Sequence, residues 1–566
     1  MLDAIRMTKG NDNSMLEDFD LNSIQDIEGA RQAVLQLLNL VEELAGENRK
    51  LREENQQLRD EINRLKGEQG KPKIKANKRQ SSTTRTNYSS ERERRKPKKR
   101  KKASKVVKIK IDREEVVRVD TAKLPPDAEF KGYEEVVIQD IKIETDNVLF
   151  RKEKFHSPTE HKSYLAKLPV GYEGQFGPGI KAMTIVLYYG INTSEPKVKE
   201  FLEHVGISIS EGQVSNLLIK KQDKFHAEKE SMYIAGLHSS SWQHIDDTGI
   251  RVNGVNEHTQ TVCNPLYTAY VTTEKKNRLA VLEALINGHE LTFCLNATAY
   301  AWLDHVNVPV SAVTELRQFP QDQALTQETF TALVDKCLPT LGAQHRRYIL
   351  EAAAIAAYRA QQKFPVVELP ICDDAPQFKR LTEELALCWV HDGRHYKKLN
   401  PVVAHHRQLL DDFSKRYWDY YDDLLTYKQD PTMKEATRLS KAFDDLFSET
   451  TDYVTLDKRI AKTKVKKDAL LMVLKHPEIP LHNNPAELQV RRRARKRDVS
   501  FGPRTEDGKK AWDTFLSLAA TTKKLGVSFY AYVHDRVSDV NKIPQLADLI
   551  AQQAELCQLN ASWESI

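Results

Sequence analysis

The chain has 566 residues, 40% of them hydrophobic, and a formal net charge of +6, enough length for several domains around a substantial core. Its six cysteines include no Cys-x-x-Cys pair, which argues against a disulfide scaffold and a zinc ribbon and for a reducing compartment. No apolar run approaches a membrane span, and MLDAIRMTKGNDNS lacks the apolar core of a signal peptide. The sequence therefore reads as a soluble cytoplasmic protein with no membrane partner.

Residues 1–30 are polar and acidic and carry little pattern. A heptad follows over 31–67. Leu37, Leu44, Leu51, Leu58 and Leu65 fall seven apart, and Val34, Val41, Asn48, Asn55 and Ile62 occupy the matching positions. Leucine at d with β-branched or Asn residues at a is the pattern of a parallel two-stranded coiled coil, so a homo-oligomer is expected. The plainer alternative is a single amphipathic helix packed on a globular domain. Residues 68–104 form a linker rich in Ser, Thr, Lys and Arg, expected to be disordered when free. Its positive run includes Arg92, Arg94, Arg95, Lys99 and Arg100 and suits a phosphate backbone. The run lies C-terminal to the heptads and contains Pro97, the reverse of a leucine-zipper transcription factor.

Over 105–170 the pattern turns to alternation (VVKIKI, EEVVRV, EEVVIQDIKIE, NVLFRKE), which predicts short strands of a small β-rich module. Residues 171–235 begin with the loop GYEGQFGPG and continue as helix. Within them PKVKEFLEHVGISISEGQVSNLLIKKQ reads as a helix-turn-helix, with Gly206 in the turn and Ser210 capping the second helix. Val214, Leu217 and Leu218 share one face of that helix. Gln213, Asn216 and Lys220 are left outward as candidate DNA contacts.

Residues 236–500 carry three acidic elements. Trp242 to Ile245 reads as a strand ending on Asp246 and Asp247. Asn253-Gly254 is a hairpin signal, and further strands are expected near Gln260–Cys263 and Thr268–Val271. A helical insertion at about 290–365 follows. Val366 to Cys372 is then a short buried strand that stops on Asp373 and Asp374, and after Pro376 a helical pattern holds Leu381, Leu385 and Cys388. A carboxylate at the end of a buried strand sits where open α/β sheets place their chemistry, although Asp is also a common helix cap. A second helical insertion at about 400–475 groups Phe413, Tyr417, Tyr420 and Tyr421 as core, with Trp418 a candidate to stack on an unpaired base.

Asn483-Asn484-Pro485 opens the third element, with Glu487 in the first turn of a helix. Arg491, Arg492, Arg493, Arg495 and Lys496 follow at once. A lone Glu there would suit the helix dipole. Beside these cations it reads as a carboxylate that holds a metal while its neighbours hold a phosphate backbone. Residues 501–566 are expected to be helical. A carboxylate-bearing first strand with antiparallel neighbours is what a ribonuclease-H-like sheet needs. The expected fold is thus α/β, a ribonuclease-H-like mixed sheet core with helical insertions, preceded by the coiled coil, the β-rich module and the helix-turn-helix-like region.

The motifs IDDT (245–248), ICDDAPQF (371–378), CWVHDGRH (388–395) and LHNNPAELQVRRRARK (481–496) occur in that order. With the closing FGPRTEDGKKAWDTFLSLAATTKKLGVSFYAYVHDRV and the coiled coil and basic linker at the front, the chain resembles the DDE transposases of the insertion-sequence-sixty-six family over nearly its whole length. The resemblance implies a bacterial DNA transposase that cleaves transposon ends and joins the freed 3′-hydroxyl to target DNA by Mg-dependent phosphodiester transfer. It assigns Asp246, Asp373 and Glu487 as catalytic and metal-binding acids for two Mg²⁺ ions, with Mn²⁺ as a substitute. Asp247 and Asp374 match positions that the family does not treat as catalytic. Cys388 and His391 are expected to be structural near the site; as zinc ligands with His395 they would lack a fourth. Implied partners are transposon-end and target DNA and accessory proteins encoded by the same element, with nucleoid association when DNA is bound. Many relatives carry a four-cysteine zinc ribbon before the core, whereas residues 68–170 here contain no cysteine. A DNA-binding regulator with an inactive catalytic fold and a nuclease without strand transfer are the competing readings.

Overall fold

The computed structural model describes residues 26–66, 110–120, 123–172 and 174–557. The basic run with Arg92, Arg94, Arg95, Lys99 and Arg100 lies outside the described residues, as does most of the polar segment 1–30. The heptad region is one helix, α1 (Ile27–Leu65). Its polar back is fixed to the body of the protein. Asn39 donates to the Asp452 carbonyl at 2.9 Å and accepts from Val454 N–H at 3.0 Å. The buried Glu42 carboxylate accepts from the N–H groups of Val402 and Val403 at 2.9 and 3.1 Å. The leucine stripe points the other way, with Leu44, Leu51 and Leu58 exposed.

The expected β-rich module is mostly absent as regular structure. Among its described residues only the hairpin of β1 (Lys154–Ser157) and β2 (Lys162–Leu165) forms, with Lys154 opposite Leu165. Residues 110–120 and 125–153 contain no strand. Alternation alone cannot hold a strand, which needs a partner ladder and an apolar layer, and Val117, Ile138 and Ile141 are all exposed with nothing against them.

Helix α2 (Pro178–Ile185) runs through a π-helical turn into α3 (Glu195–His204) and α4 (Glu211–Ile219). Gly206 takes the left-handed turn (φ +85°), and Ser210 Oγ caps α4 by accepting from Gln213 N–H at 3.3 Å. Val214 and Leu218 are buried, Gln213 and Lys220 are exposed, and Asn216 is half-buried. Helix α5 (Asp223–His238) leads into the sheet.

The central sheet has the order β5-β4-β3-β8-β9, formed by β3 (Trp242–Val252), β4 (Val255–Cys263), β5 (Thr268–Thr273), β8 (Leu369–Cys372) and β9 (Ala386–Leu387). The first three strands are antiparallel, and β8 and β9 run parallel to β3. The fold is therefore α/β with a mixed sheet. Asn253 and Gly254 both have positive φ (48° and 80°), the backbone that a two-residue hairpin requires. Strand β3 does not end at Ile245. It continues to Val252 because β4 pairs with it along its whole length, down to Val252↔Val255. The helix expected after Pro376 is also replaced. A single 3-10 turn (Pro376–Phe378) gives way to β9, since Ala386 and Leu387 pair with the open edge of β8.

Helices α6 (Arg278–Leu285), α7 (Ala297–His305), α8 (Val310–Leu316), α9 (Gln327–Cys337) and α10 (Ala343–Ala360), with the small pair β6 (Thr292–Phe293) and β7 (Leu325–Thr326), make up the first insertion. After α11 (Trp389–Lys397), helices α12 (Ala404–Tyr427), α13 (Met433–Phe447), α14 (Val454–Lys464) and α15 (Lys467–Leu470) make up the second. Phe413, Tyr417, Tyr420 and Tyr421 are buried in it. Trp418 belongs to the same aromatic cluster, with ring centroids 5.1 Å from Tyr417 and 5.4 Å from Tyr421, and it closes over Gly393. It is held by its neighbours rather than presented to a base.

The chain finishes with α16 (Asn484–Ser500), α17 (Glu506–Lys524), α18 (Phe529–Val537) and α19 (Leu546–Cys557). Helix α17 closes the outer edge of the sheet. Asp513, Ser517 and Thr521, one per turn, accept from the N–H groups of Thr272, Tyr270 and Thr268 at 2.7, 2.9 and 3.1 Å. Those donors would otherwise form an unpaired edge. Among the described residues no helix is long and apolar enough to cross a membrane.

Candidate active site

The parallel register of β3 and β8 sets His244 opposite Ile371. Two residues further along each strand come Asp246 and Asp373, on the same side of the pleat. Asp246 is half-buried and accepts only a local bond, from Asp247 N–H at 2.8 Å. Burial pushes its carboxyl up to about 7, and the nearby Asp373, Asp247 and Glu487 push in the same direction. Asp373 is likewise half-buried and accepts from Ala375 N–H at 3.1 Å. Among the described residues neither carboxylate has a cationic partner.

Their sequence neighbours are engaged elsewhere. Asp247 pairs with Lys276 at 2.8 Å and accepts from the Gln377 amide at 3.0 Å. Asp374 pairs with Lys379 at 2.7 Å and with Lys466. Burial works against the Asp374 carboxylate, but the bonds from the two lysines outweigh it and hold the group below its ordinary value.

Asn483 joins these strands to the third acid. Its amide donates to the Ile245 carbonyl at 2.8 Å, and its side-chain oxygen stands 2.9 Å from His244 Nδ1. Burial pushes His244 down to about 3, so the imidazole is neutral and its Nδ1 carries the proton that Asn483 accepts. The Asn483 N–H donates to Cys388 Sγ at 3.2 Å, and the same sulfur caps α11 by accepting from His391 N–H at 3.4 Å. Cys388 is thereby a tie between α11 and the start of α16.

Glu487, in the first turn of α16, has a side chain only 16% exposed. The Arg394 guanidinium grips it as a fork, with Nη1 at 3.1 Å and Nη2 at 3.2 Å, and His391 Nε2 stands 3.4 Å away. Arg394 was not among the residues that the sequence singled out. Its signal is its place in CWVHDGRH, one helical turn beyond His391 and therefore on the same face. Among the described residues no three His, Cys, Asp or Glu side chains converge into a finished ion cage.

Residues 369–511 match the family described as Transposase IS66 family. That stretch holds Asp373, His391, Arg394 and Glu487. The chain is also 34% identical over 325 residues to "Uncharacterized protein y4jO" of Sinorhizobium fredii (strain NBRC 101917 / NGR234), a match spanning 57% of this chain and 100% of that protein. The chain belongs to the IS66 transposase family.

In this IS66-family chain the basic run on α16 divides by face. Arg491 and Arg495 are exposed, one and two turns beyond Glu487, and Arg492 is half-buried. Arg493 and Lys496, expected to contact DNA, are instead buried. Arg493 donates to Asp513 at 2.8 Å, Thr272 at 3.0 Å and Thr259 at 3.2 Å, and its guanidinium lies 4.9 Å from the Trp512 ring. Lys496 lies 3.2 Å from the Tyr188 ring centroid and donates to the Thr193 carbonyl at 3.0 Å. Burial pushes its ammonium down to about 6 against the pull of Glu195. The reason is periodic. Residues three apart share a helix face, and the face shared by 493 and 496 packs on the sheet, α17 and the segment before α3. Gln213 and Asn216 lie on α4 and Lys220 directly follows it, while α16 reaches the segment before α3 through the Lys496–Thr193 bond.

Proposed function

We propose that this protein cleaves transposon ends and transfers the freed 3′-hydroxyl to target DNA, with Asp246, Asp373 and Glu487 as the catalytic acids of a ribonuclease-H-like sheet. The observation that carries the reading is the contrast within each Asp pair. Asp247 and Asp374 are bound by lysines, whereas Asp246 and Asp373 stand side by side, half-buried and without a cation, and Glu487 lies close enough to raise Asp246 further. Uncompensated negative charge of this kind is what a divalent cation offsets. Three carboxylates are also the oxygen donors that Mg²⁺ prefers, with Mn²⁺ as a substitute. When bound, the ions would activate the attacking hydroxyl and steady the leaving oxygen.

The chain's own groups do the rest. Asn483 fixes the spacing between β3 and α16. Arg394 and His391 orient the Glu487 carboxylate, and Arg491 and Arg495 hold the DNA backbone beside it. In each step an oxygen nucleophile, water for cleavage and the 3′-hydroxyl for joining, forms a new P–O bond as the old P–O bond breaks. The leaving oxygen takes up a proton. Gln213, Asn216 and Lys220 on α4 are assigned to end recognition, together with the basic linker. The exposed leucine stripe of α1 is assigned to pairing with a second copy as a coiled coil. Accessory proteins of the same element act alongside it, in the cytoplasm and at the nucleoid.

The test is a strand-transfer assay on DNA carrying the element's own ends, in Mg²⁺. Joined product from wild type, none from Asp246→Ala, Asp373→Ala or Glu487→Ala, and retained product from Asp247→Ala would support the assignment. Product from Asp373→Ala would sink it. Nicked but unjoined DNA from wild type would favour a nuclease, and end binding without any cutting would favour a DNA-binding regulator.

A further inference from the structure

The loop that ends α16 displays an aromatic ring where the fold gives no reason for one. Phe501 follows the last residue of α16 with φ 58° and ψ 8°, and its N–H donates to the Arg497 carbonyl at 2.7 Å. This left-handed position closes a helix most easily with Gly or Asn. A bulky side chain is disfavoured there. Nor does burial compensate, because the ring is 84% exposed, more than any other Phe, Tyr or Trp among the described residues. Backbone preference and packing both oppose phenylalanine at this place, which points to use of the ring by something outside the chain.

The loop that carries the ring is also held still. Gly502 (φ +93°) lies so close to β3 that a Cβ on it would stand 2.1 Å from the Arg251 carbonyl oxygen. Pro503 is buried, and its carbonyl accepts from Asn253 N–H at 3.0 Å. Arg497 donates to the Gly249 carbonyl at 2.5 Å. The loop is thus clamped to the tip of the β3–β4 hairpin. Arg251 and Arg504 are exposed nearby, and Asp498 is taken up by Arg497 at 3.3 Å.

Two routes fix the distance from the acids. Along α16 from Glu487 to Phe501 the chain climbs about 21 Å at ~1.5 Å per residue. Along β3 from Asp246 to Val252, beside the same tip, it climbs about 20 Å at ~3.3 Å per residue. Arg491 and Arg495 lie exposed between the acids and the ring. At ~3.4 Å per step of duplex, the ring stands about six base pairs from the acids.

We propose that Phe501 is a stacking element that packs on a DNA base about six base pairs from the cleaved phosphate. This rests on the reading above that the bound polymer is DNA. An aromatic ring at the end of an arginine track can wedge against the π face of a base of any identity where the duplex step is partly unstacked to receive it. The ring therefore sets how far along the duplex the protein grips rather than which sequence it reads.

The test uses the full chain and a duplex copied from the element's end, with thymines replaced one at a time by 5-iodouracil. Irradiation is expected to join Phe501 to iodouracil at one narrow position, about six base pairs from the cut. Phe501→Gly should lose the crosslink and bind the duplex about tenfold more weakly, yet melt at or above wild type because glycine relieves the left-handed backbone. Phe501→Trp should bind as wild type does. Equal affinity of wild type and Phe501→Gly, with no crosslink at Phe501, would overturn the stacking role while leaving the DNA reading intact. So would a change in self-association without a change in DNA affinity. Failure of wild type to bind the duplex at all would overturn both.

Discussion

The inner and outer faces of α16 carry the same kinds of residue to opposite ends. On the outer face Arg491 and Arg495 reach solvent beside Glu487. On the inner face Arg493 and Lys496 are buried among Asp513, threonines and aromatic rings. Charge density along RRRARK therefore does not measure phosphate affinity. Two of its five basic side chains, Arg493 and Lys496, are used inside the protein to bind α16 to the sheet, to α17 and to the segment leading into α3. A helix that holds Glu487 in the Arg394 fork needs a back that cannot turn, and a buried cation with several fixed acceptors resists rotation better than an alkyl group would.

The largest effect is expected at Arg493. Arg493→Met leaves the buried Asp513 without its cation, and loss of one partner of a buried pair costs about 3–5 kcal/mol. Urea unfolding should show a loss of stability of that order, read as a lower midpoint with little change in slope. A loss of under about 1 kcal/mol would mean that the pair contributes no more than a surface bridge.

A smaller effect, with a distinctive pH dependence, is expected at Lys496. Below pH 6 the folded and unfolded chains both carry the ammonium, the folded one at the full cost of burial. As pH rises above about 6 the folded chain sheds the proton, while the unfolded chain keeps it up to the ordinary value of 10.5. The penalty therefore shrinks with rising pH. Lys496→Met should gain on wild type by about 1 kcal/mol or more near pH 6, and the gain should fall toward pH 9 in thermal melts. A gain that grows with pH would contradict the burial argument.

The outer face should respond in the opposite sense. Arg491→Gln combined with Arg495→Gln should leave stability within about 0.5 kcal/mol. The salt dependence of DNA affinity should flatten by about 0.9 in log–log slope for each phosphate that is no longer neutralised. An unchanged slope would remove these residues from the DNA path.

Much of the proposed site was legible because its signals are local in sequence. The strand-end aspartates in IDDT and ICDDAPQF and the helix start in LHNNPAE each marked an acid. What escaped was set by partners far along the chain. Strand β3 outruns Ile245 because β4 pairs with it throughout, and no pattern in Thr248–Arg251 announces that. The alternation between 110 and 153 looks like strands, yet it meets no neighbouring ladder. Arg394 is one polar residue in a polar helix until α16 places Glu487 against it. Of the two readings of the heptad, the helix packed on a globular body describes how α1 is attached. It lies on the body through Asn39 and Glu42, while its leucines face outward.

The Asn483 tie also sets an order of manufacture. Its bond to His244 spans 239 positions, and the outer edge of β5 is closed only by α17. While the ribosome is still making the second insertion, the nascent chain already holds Asp246 and Asp373 but has no Glu487. A product truncated between Asp373 and α16 would carry two acids and a bare sheet edge, open to pairing with another chain. Premature termination in the second insertion would thus yield an aggregation-prone fragment.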